Sequence, residues 1–128
     1  MAVYGDARRE RGMIYHIAEA KEWDAHVQDD QYVPERYAGE GFVHCAEVRQ
    51  LEGVADLHFR NRRDLLLLEI DPTLLDAKTT YENLDGKGEK FPHIYGKINK
   101  DAVISTTRIE CNEDGLFAGV FDSTVGHD

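Results

Sequence analysis

The sequence is short of positive charge, of cysteine and of long hydrophobic runs, and each shortage removes a class of function. Lysine and arginine number 15 against 25 acidic residues, for a formal net charge of −10. A surface that tracks a nucleic-acid duplex needs the opposite balance. An extended nucleic-acid interface is therefore not expected, although a small anionic ligand needs only one local cluster of donors. No apolar stretch approaches the ~20 residues of a membrane-spanning helix. The opening "MAVYGDARRERGM" carries basic residues without an apolar h-region. These two features predict a cytoplasmic protein with no membrane span and no secretory signal. Cys45 and Cys111 lie in apolar surroundings without C-x-x-C spacing, which predicts reduced core thiols rather than a bridge. Short ligand spacings such as H-x-H or H-E-x-x-H are also missing, so a metal centre finds little support.

What remains is a chain of 128 residues, the size of one domain, with 41% hydrophobic residues, enough for a core without staples. The boundaries expected are a loose extension over 1–12, a single domain over 13–120 and a frayed tail over 121–128. Within the domain, "MIYHIA" (13–18) reads as a first strand. "EAKEWDAHVQDD" places Ala20, Trp23 and Val27 at helical spacing. "QYVPERYAGE" reads as a loop, and "GFVHCA" (41–46) as a second strand. "EVRQLEGVADLHF" puts Val48, Leu51, Ala55 and Phe59 on one helical face. "LLLLEID" (65–71) predicts a strand buried on both faces. Further strands are expected over 77–83, in "FPHIY" (91–95), over 101–110 and, at an edge, in "GLFAGVF". Helices cluster early and strands late, which predicts an α+β fold with a mixed or mostly antiparallel sheet.

Strand alternation assigns faces to the histidines. His16 shares a face with Ile14, while Tyr15 and Ile17 point the other way. His44 lies with Phe42, and Cys45 with Val43, so His44 does not serve as base for Cys45. His93 and Tyr95 share a face opposite Pro92 and Ile94. A core that needs only volume uses Val or Leu, because a buried imidazole must find partners for its nitrogens. His16, His44 and His93, each with an aromatic within two residues, predict one cleft of polar tips and aromatic faces. Tyr15 or Tyr95 would stack a flat ligand there. Glu82, in "TTYEN", is the carboxylate that follows a β-prone run. His26, His58 and His127 are assigned solvated or packing roles. The clusters Arg8, Arg9, Arg11 and Arg60, Arg62, Arg63 read as solvated faces, the second with a phosphate-contact alternative.

"IYHIA" with a downstream Trp, "EGFVHCAE" followed by Gln, "LLLLEID", "YE" and "FPHIYG", in that order, resemble the domain of unknown function 952 family over residues 13 to about 105. The resemblance implies an ADP-ribosyltransferase-like fold: a split mixed or antiparallel β-sheet with two early helices around a dinucleotide cleft, related to RNA 2′-phosphotransferases. On that analogy "MIYHIA" looks like the first-strand "L-Y-H-G-T" motif. His16 would then hydrogen-bond the ribose and amide region of NAD. "FVHCA" looks like the "H-V-H-L-S" of the phosphotransferases, which makes His44 the second polar anchor. Ile17 and Ala18 stand where Gly and Thr follow the first histidine in that motif.

Three functions compete. The first is an enzyme acting on NAD or a related ribosyl phosphate, by ADP-ribosyl or 2′-phosphate transfer. His44, His93 and Glu82 would be catalytic, and His16, Tyr15, Tyr95, Arg36 and Phe42 would hold substrate. No resident cofactor is called for, and NAD enters as a candidate substrate. The second is a non-catalytic module for a nucleotide-type small molecule. The third is a metal-dependent enzyme in which His16, His44 and His93 supply imidazoles. Nothing in the sequence sets an oligomeric state.

Overall fold

The computed structural model describes residues 12–83, 86 and 88–122. The expected extension over 1–12, except Gly12, and the tail beyond Asp122 lie outside the described residues, as do Arg8, Arg9, Arg11 and His127. Strand β1 (Ile14–Glu19) runs into a short helix α1 (Ala20–Asp24), then β2 (Gln31–Tyr32), α2 (Tyr37–Glu40) and β3 (Val43–His44). A 3-10 turn leads into α3 (Leu51–His58), then β4 (Leu65–Ile70) and β5 (Lys78–Glu82). The chain ends in β6 (Phe91–Tyr95), β7 (Ile98–Asn99) and β8 (Val103–Ile109). The class is α+β, with few helices. Three sheets form, ordered β1-β4-β8, β3-β6-β5 and β2-β7, and every strand pair between named strands is antiparallel.

The leucine run explains the middle of the fold. Leu65 and Leu67 point into one apolar cluster with Tyr15, Ile17, Leu51, Ala55 and Phe117. Leu68 and Ile70 point into a second, with Ile14, Tyr32, Val43, Ile94 and Ile98. A strand covered on both faces needs apolar residues at both parities, so the run is continuous. Each fully buried Leu or Ile contributes about 1.5–3 kcal/mol. The helix α3 covers the first cluster through Leu51 and Ala55. Its entry is fastened by a reciprocal cap between Glu47 and Gln50.

Several expectations are corrected. The early helix stops at Asp24, and Val27, expected on its buried face, is exposed. Helices this short persist only where a packed face holds them, and after Trp23 both Ala25 and Val27 are exposed. The expected loop over 31–40 contains β2 and α2, and the second strand is only Val43–His44. "GLFAGVF" forms turns rather than an edge strand among the described residues. Phe117 and Phe121 nevertheless plug the first cluster, so Phe121, the first residue of the expected tail, packs in the core.

Gly96 follows β6 with φ +157°, and a Cβ there would lie 2.6 Å from the Ala77 Cβ. The close approach of Ala77, the residue that leads into β5, demands glycine at this position.

Candidate functional site

One antiparallel register builds the centre of the site. β6 lies between β3 and β5, which sets His44 opposite His93, and Thr80 opposite His93 on the other side. Glu82 pairs with Phe91, two residues from His93 on the same face. A diagonal neighbour at that offset is within reach of a long side chain. Glu82 accordingly accepts from His93 Nδ1 at 2.8 Å and from the Tyr95 hydroxyl at 2.6 Å, both on the same oxygen. The Tyr95 hydroxyl first, then the His93 N–H, hold the Glu82 carboxyl below its usual range. An ionised carboxylate only accepts, so Nδ1 of His93 carries a proton. Tyr81 points the other way, as alternation requires, towards Glu47.

Gly41 ends α2 in the left-handed conformation, φ +82°, and the chain turns there to present Phe42. The Phe42 ring lies 4.5 Å from that of His93, 4.8 Å from His44 and 5.4 Å from Tyr95. His44 Nε2 donates to Glu40 at 2.9 Å, and Glu40 also accepts from Arg36 at 2.8 Å. Burial lowers the His44 pKa despite that carboxylate. For Glu40, burial acts upward, but the contacts with Arg36 and His44 outweigh it and hold the carboxyl low.

The first strand supplies the opposite wall. Tyr15 and Ala46 exchange two backbone hydrogen bonds of 2.8 Å. Beyond that bridge no strand pairs with the outer edge of β1 among the described residues, and a cleft of about 330 Å³ opens. His16 is 6% exposed on its floor, and its Nδ1 donates to the His44 carbonyl at 2.7 Å. Burial first, then the neighbouring His44 and Arg36 charges, bring its pKa down to about 4 against the help of that hydrogen bond. The ring is neutral at pH 7, its proton is on Nδ1, and Nε2 is an acceptor with no hydrogen-bond partner among the described residues. Tyr32, 0% exposed, stands 5.9 Å away ring to ring, and its hydroxyl also lacks a partner among the described residues. Burial, then Glu22 and Glu19, raise the Tyr32 pKa and keep the phenol protonated.

The cleft gathers His16, Tyr15, Arg36, Phe42, His44, Glu82 and His93 from the sequence-derived set. Tyr95 is not on its wall; it is 42% exposed and reaches the site only through Glu82 and Phe42. Tyr15 touches the cleft, but it is 7% exposed and packed in the first cluster, so its face is already covered. The stacking role assigned to these two tyrosines does not fit their placement. The Arg60 cluster is engaged elsewhere: Arg62 forks onto Asp64 and reaches Glu19, and Arg63 meets Glu110. Neither lines the cleft, whereas His58, assigned a packing role, does. Tyr32, Glu19, Glu22 and Glu40 escaped sequence reasoning. Only the "YVP" aromatic in a polar stretch hinted at Tyr32.

Among the described residues no group of three or more His, Cys, Asp or Glu side chains is placed to hold a metal ion, so the three-imidazole centre finds no support. Cys45 and Cys111 are both free and buried, and burial raises the Cys45 thiol pKa. No helix among the described residues is long and apolar enough to cross a membrane.

Residues 17–106 match the family described as "Protein of unknown function (DUF952)". The chain belongs to that family. The crystal structure of protein CC0527 from Caulobacter crescentus is similar to this DUF952 chain, with a TM-score of 0.73 and 26% identity over 81% of this chain and 91% of that one. The solution structure of CC0527 gives a TM-score of 0.68 at 21% identity, over 91% and 98%. No curated protein matches the DUF952 chain. The family match includes His16's neighbours from Ile17 onward together with His44, Glu82 and His93, so the cleft's central residues lie within the shared domain, His16 one position before it.

Proposed function

We propose that the cleft binds a nucleotide-type ligand, NAD or a related ribosyl phosphate, in an ADP-ribosyltransferase-like fold. The observation that carries this reading is the pair of buried atoms, His16 Nε2 and Tyr32 Oη, with no hydrogen-bond partner among the described residues. Leaving a buried polar group unpaired costs about 1–3 kcal/mol, and both residues line the cleft. A ligand with hydroxyls or an amide removes that cost on binding. Phe42 offers an aromatic face in the same cleft. Arg36, on the wall, is among the described residues the one Lys or Arg side chain lining the cleft.

The Glu82–His93 pair can act on such a ligand. In ADP-ribosyl transfer the C–N glycosidic bond breaks and the base leaves with the bonding electrons. An acceptor O–H then bonds to C1′, and its proton passes to His93 Nε2. Glu82 fixes the His93 tautomer and stabilises the imidazolium that forms. Transfer of a 2′-phosphate would use His44 and Arg36 instead.

A non-catalytic binding module is the second reading. It is favoured by Glu82 Oε1 already accepting two hydrogen bonds, which leaves that oxygen little capacity to steady a developing cation.

Thermal unfolding with added NAD, ADP-ribose or a 2′-phosphorylated nucleotide tests binding. Ligand at a hundred times its Kd stabilises by about 2.7 kcal/mol. Nicotinamide release from NAD then separates the two readings: release that His93→Ala abolishes supports transfer, and binding without release supports the module. No stabilisation by any of the three ligands refutes both.

A further inference from the structure

The cleft carries a second carboxylate–imidazole couple, separate from Glu82 and His93. Arg36, Glu40 and His44 follow one another at intervals of four residues. Arg36 precedes α2 and Glu40 ends it, one helical turn apart and within reach of each other. Gly41 then leaves the helix at φ +82°, and the turn brings His44 back beside Glu40. Each oxygen of Glu40 takes one partner: Oε2 accepts from Arg36 Nη2 at 2.8 Å, and Oε1 from His44 Nε2 at 2.9 Å. Burial acts upward on the Glu40 carboxyl, but these contacts keep it ionised at pH 7. An ionised carboxylate only accepts, so the His44 proton lies on Nε2. Burial lowers the His44 pKa in spite of Glu40, so the ring is neutral at pH 7 and Nδ1 keeps its lone pair. Nδ1 has no hydrogen-bond partner among the described residues.

Accessibility separates His44 from the imidazole opposite it. The His44 side chain is 47% exposed, against 6% for that of His93, so an entering group meets His44 first. Its ring is held from two further sides, by Phe42 at 4.8 Å and by His93 at 5.4 Å, edge-on. Stability gives little reason for the arrangement, because solvent screens ion pairs as exposed as Arg36–Glu40 and Glu40–His44 and leaves them weak. What a carboxylate on one ring nitrogen does give an imidazole is a fixed tautomer and orientation.

We infer that Glu40, clamped by Arg36, is a positioning residue that fixes His44 with its proton on Nε2 and presents Nδ1 as a second proton acceptor of the cleft, besides the Glu82–His93 pair. An O–H group of water or of a ligand alcohol gives its proton to Nδ1. The ring becomes an imidazolium, and the Glu40 carboxylate stabilises that charge without taking the proton. The groups facing His44 set its strength: Glu40 supports the imidazolium, while Arg36 before α2, His93 on β6 and His16 on β1 oppose it. This goes beyond the binding reading above, since it requires an O–H group at His44 but no particular ligand.

The test is nitrogen-resolved NMR of the histidine side chains on the full chain, titrated with no ligand present, for the wild type, Glu40→Ala and Arg36→Gln. Wild-type His44 should be a single tautomer, protonated on Nε2. Glu40→Ala should mix the tautomers and lower the His44 midpoint, because the carboxylate supports the imidazolium. Arg36→Gln should keep the tautomer and raise the midpoint, because a repelling charge is gone. A merely structural role does not move the two variants in opposite directions. Diethyl pyrocarbonate, which acylates unprotonated imidazole nitrogens, reads the same group chemically: His44 should react at pH 7 in the wild type and roughly threefold more slowly in Glu40→Ala. A wild-type His44 protonated on Nδ1, midpoint shifts of one sign in both variants, or equal or faster acylation of Glu40→Ala would overturn the inference. Should Glu40→Ala not fold, the wild-type tautomer and Arg36→Gln decide it, and a midpoint that Arg36→Gln fails to raise would sink it. Absence of NAD binding in the unfolding assay would remove the nucleotide reading and leave this one standing.

Discussion

Acidification should destabilise this protein through His16 well before its carboxylates titrate. The perturbation is a fall in pH from 7 to 5. An unfolded histidine takes up a proton near 6.5, whereas native His16 does so only at about 4. Below 6.5 the unfolded state therefore binds more protons than the native one, and stability falls as pH falls. The stability is complete above 6.5 and the loss is complete near 4. A difference of about 2.5 units corresponds to roughly 3 kcal/mol in total, of which about 2 kcal/mol is lost by pH 5. His44, whose pKa is also lowered, adds to the slope in the same window with the same sign. Glu40, Glu82 and Asp64 are depressed carboxylates, so their contribution disappears at lower pH, below their ordinary range. The assay is urea unfolding at intervals between pH 7.5 and 4.5, paired with NMR titration of the imidazole carbons. His16→Asn should flatten the slope between pH 7 and 5. If the His16 resonance titrates near 6.5, its burial without a charge partner is misread and the acceptor assigned to Nε2 falls with it.

Two stability predictions test the frame around the cleft. Gly96→Ala should cost roughly 2 kcal/mol or more, from the clash with Ala77 and the unfavourable φ; a midpoint in urea that does not move refutes the close approach of Gly96 to Ala77. Asn99 is 8% exposed, accepts from the Asp76 N–H and donates to the Leu74 carbonyl and the Asp101 carboxylate. Asn99→Ala should lower stability by about 2–3 kcal/mol, read as a fall in the urea midpoint at constant slope, and equal midpoints would refute its role as a lock.

How much of this was legible depended on whether a feature was set by local alternation or by distant pairing. The two-sided burial of 65–70 followed from the unbroken leucine run. The faces of His16, His44 and His93 followed from parity, since a strand side chain has only two directions to choose from. Glu82 was visible as a residue but not as a partner: its bond to His93 depends on the β5–β6 register, which a sequence does not print. Tyr32 was invisible for a stronger reason. It lies in a two-residue strand, opposite Ile98, 66 positions away in the chain, and its burial comes entirely from that pairing and the cluster above it. The stacking tyrosines were misplaced because parity gives a face but not what covers it. Tyr15 faces a filled core, and Tyr95 sits at the strand end beyond the cleft wall.

Burial alone does not separate a structural polar residue from a binding one; satisfaction does. Asn99 and His16 are almost equally enclosed, at 8% and 6% exposure. Every polar atom of the Asn99 amide is engaged by the chain, so its burial is explained by the turn it fastens. His16 spends its one N–H on the His44 carbonyl and leaves Nε2 without a partner among the described residues, with the Tyr32 hydroxyl in the same condition and both residues lining the same cleft. Valine or leucine at 16 and phenylalanine at 32 would fill these volumes without a desolvation cost. The protein carries two such costs side by side on the wall of one cleft, and a ligand that donates to one atom and accepts from the other would relieve both together.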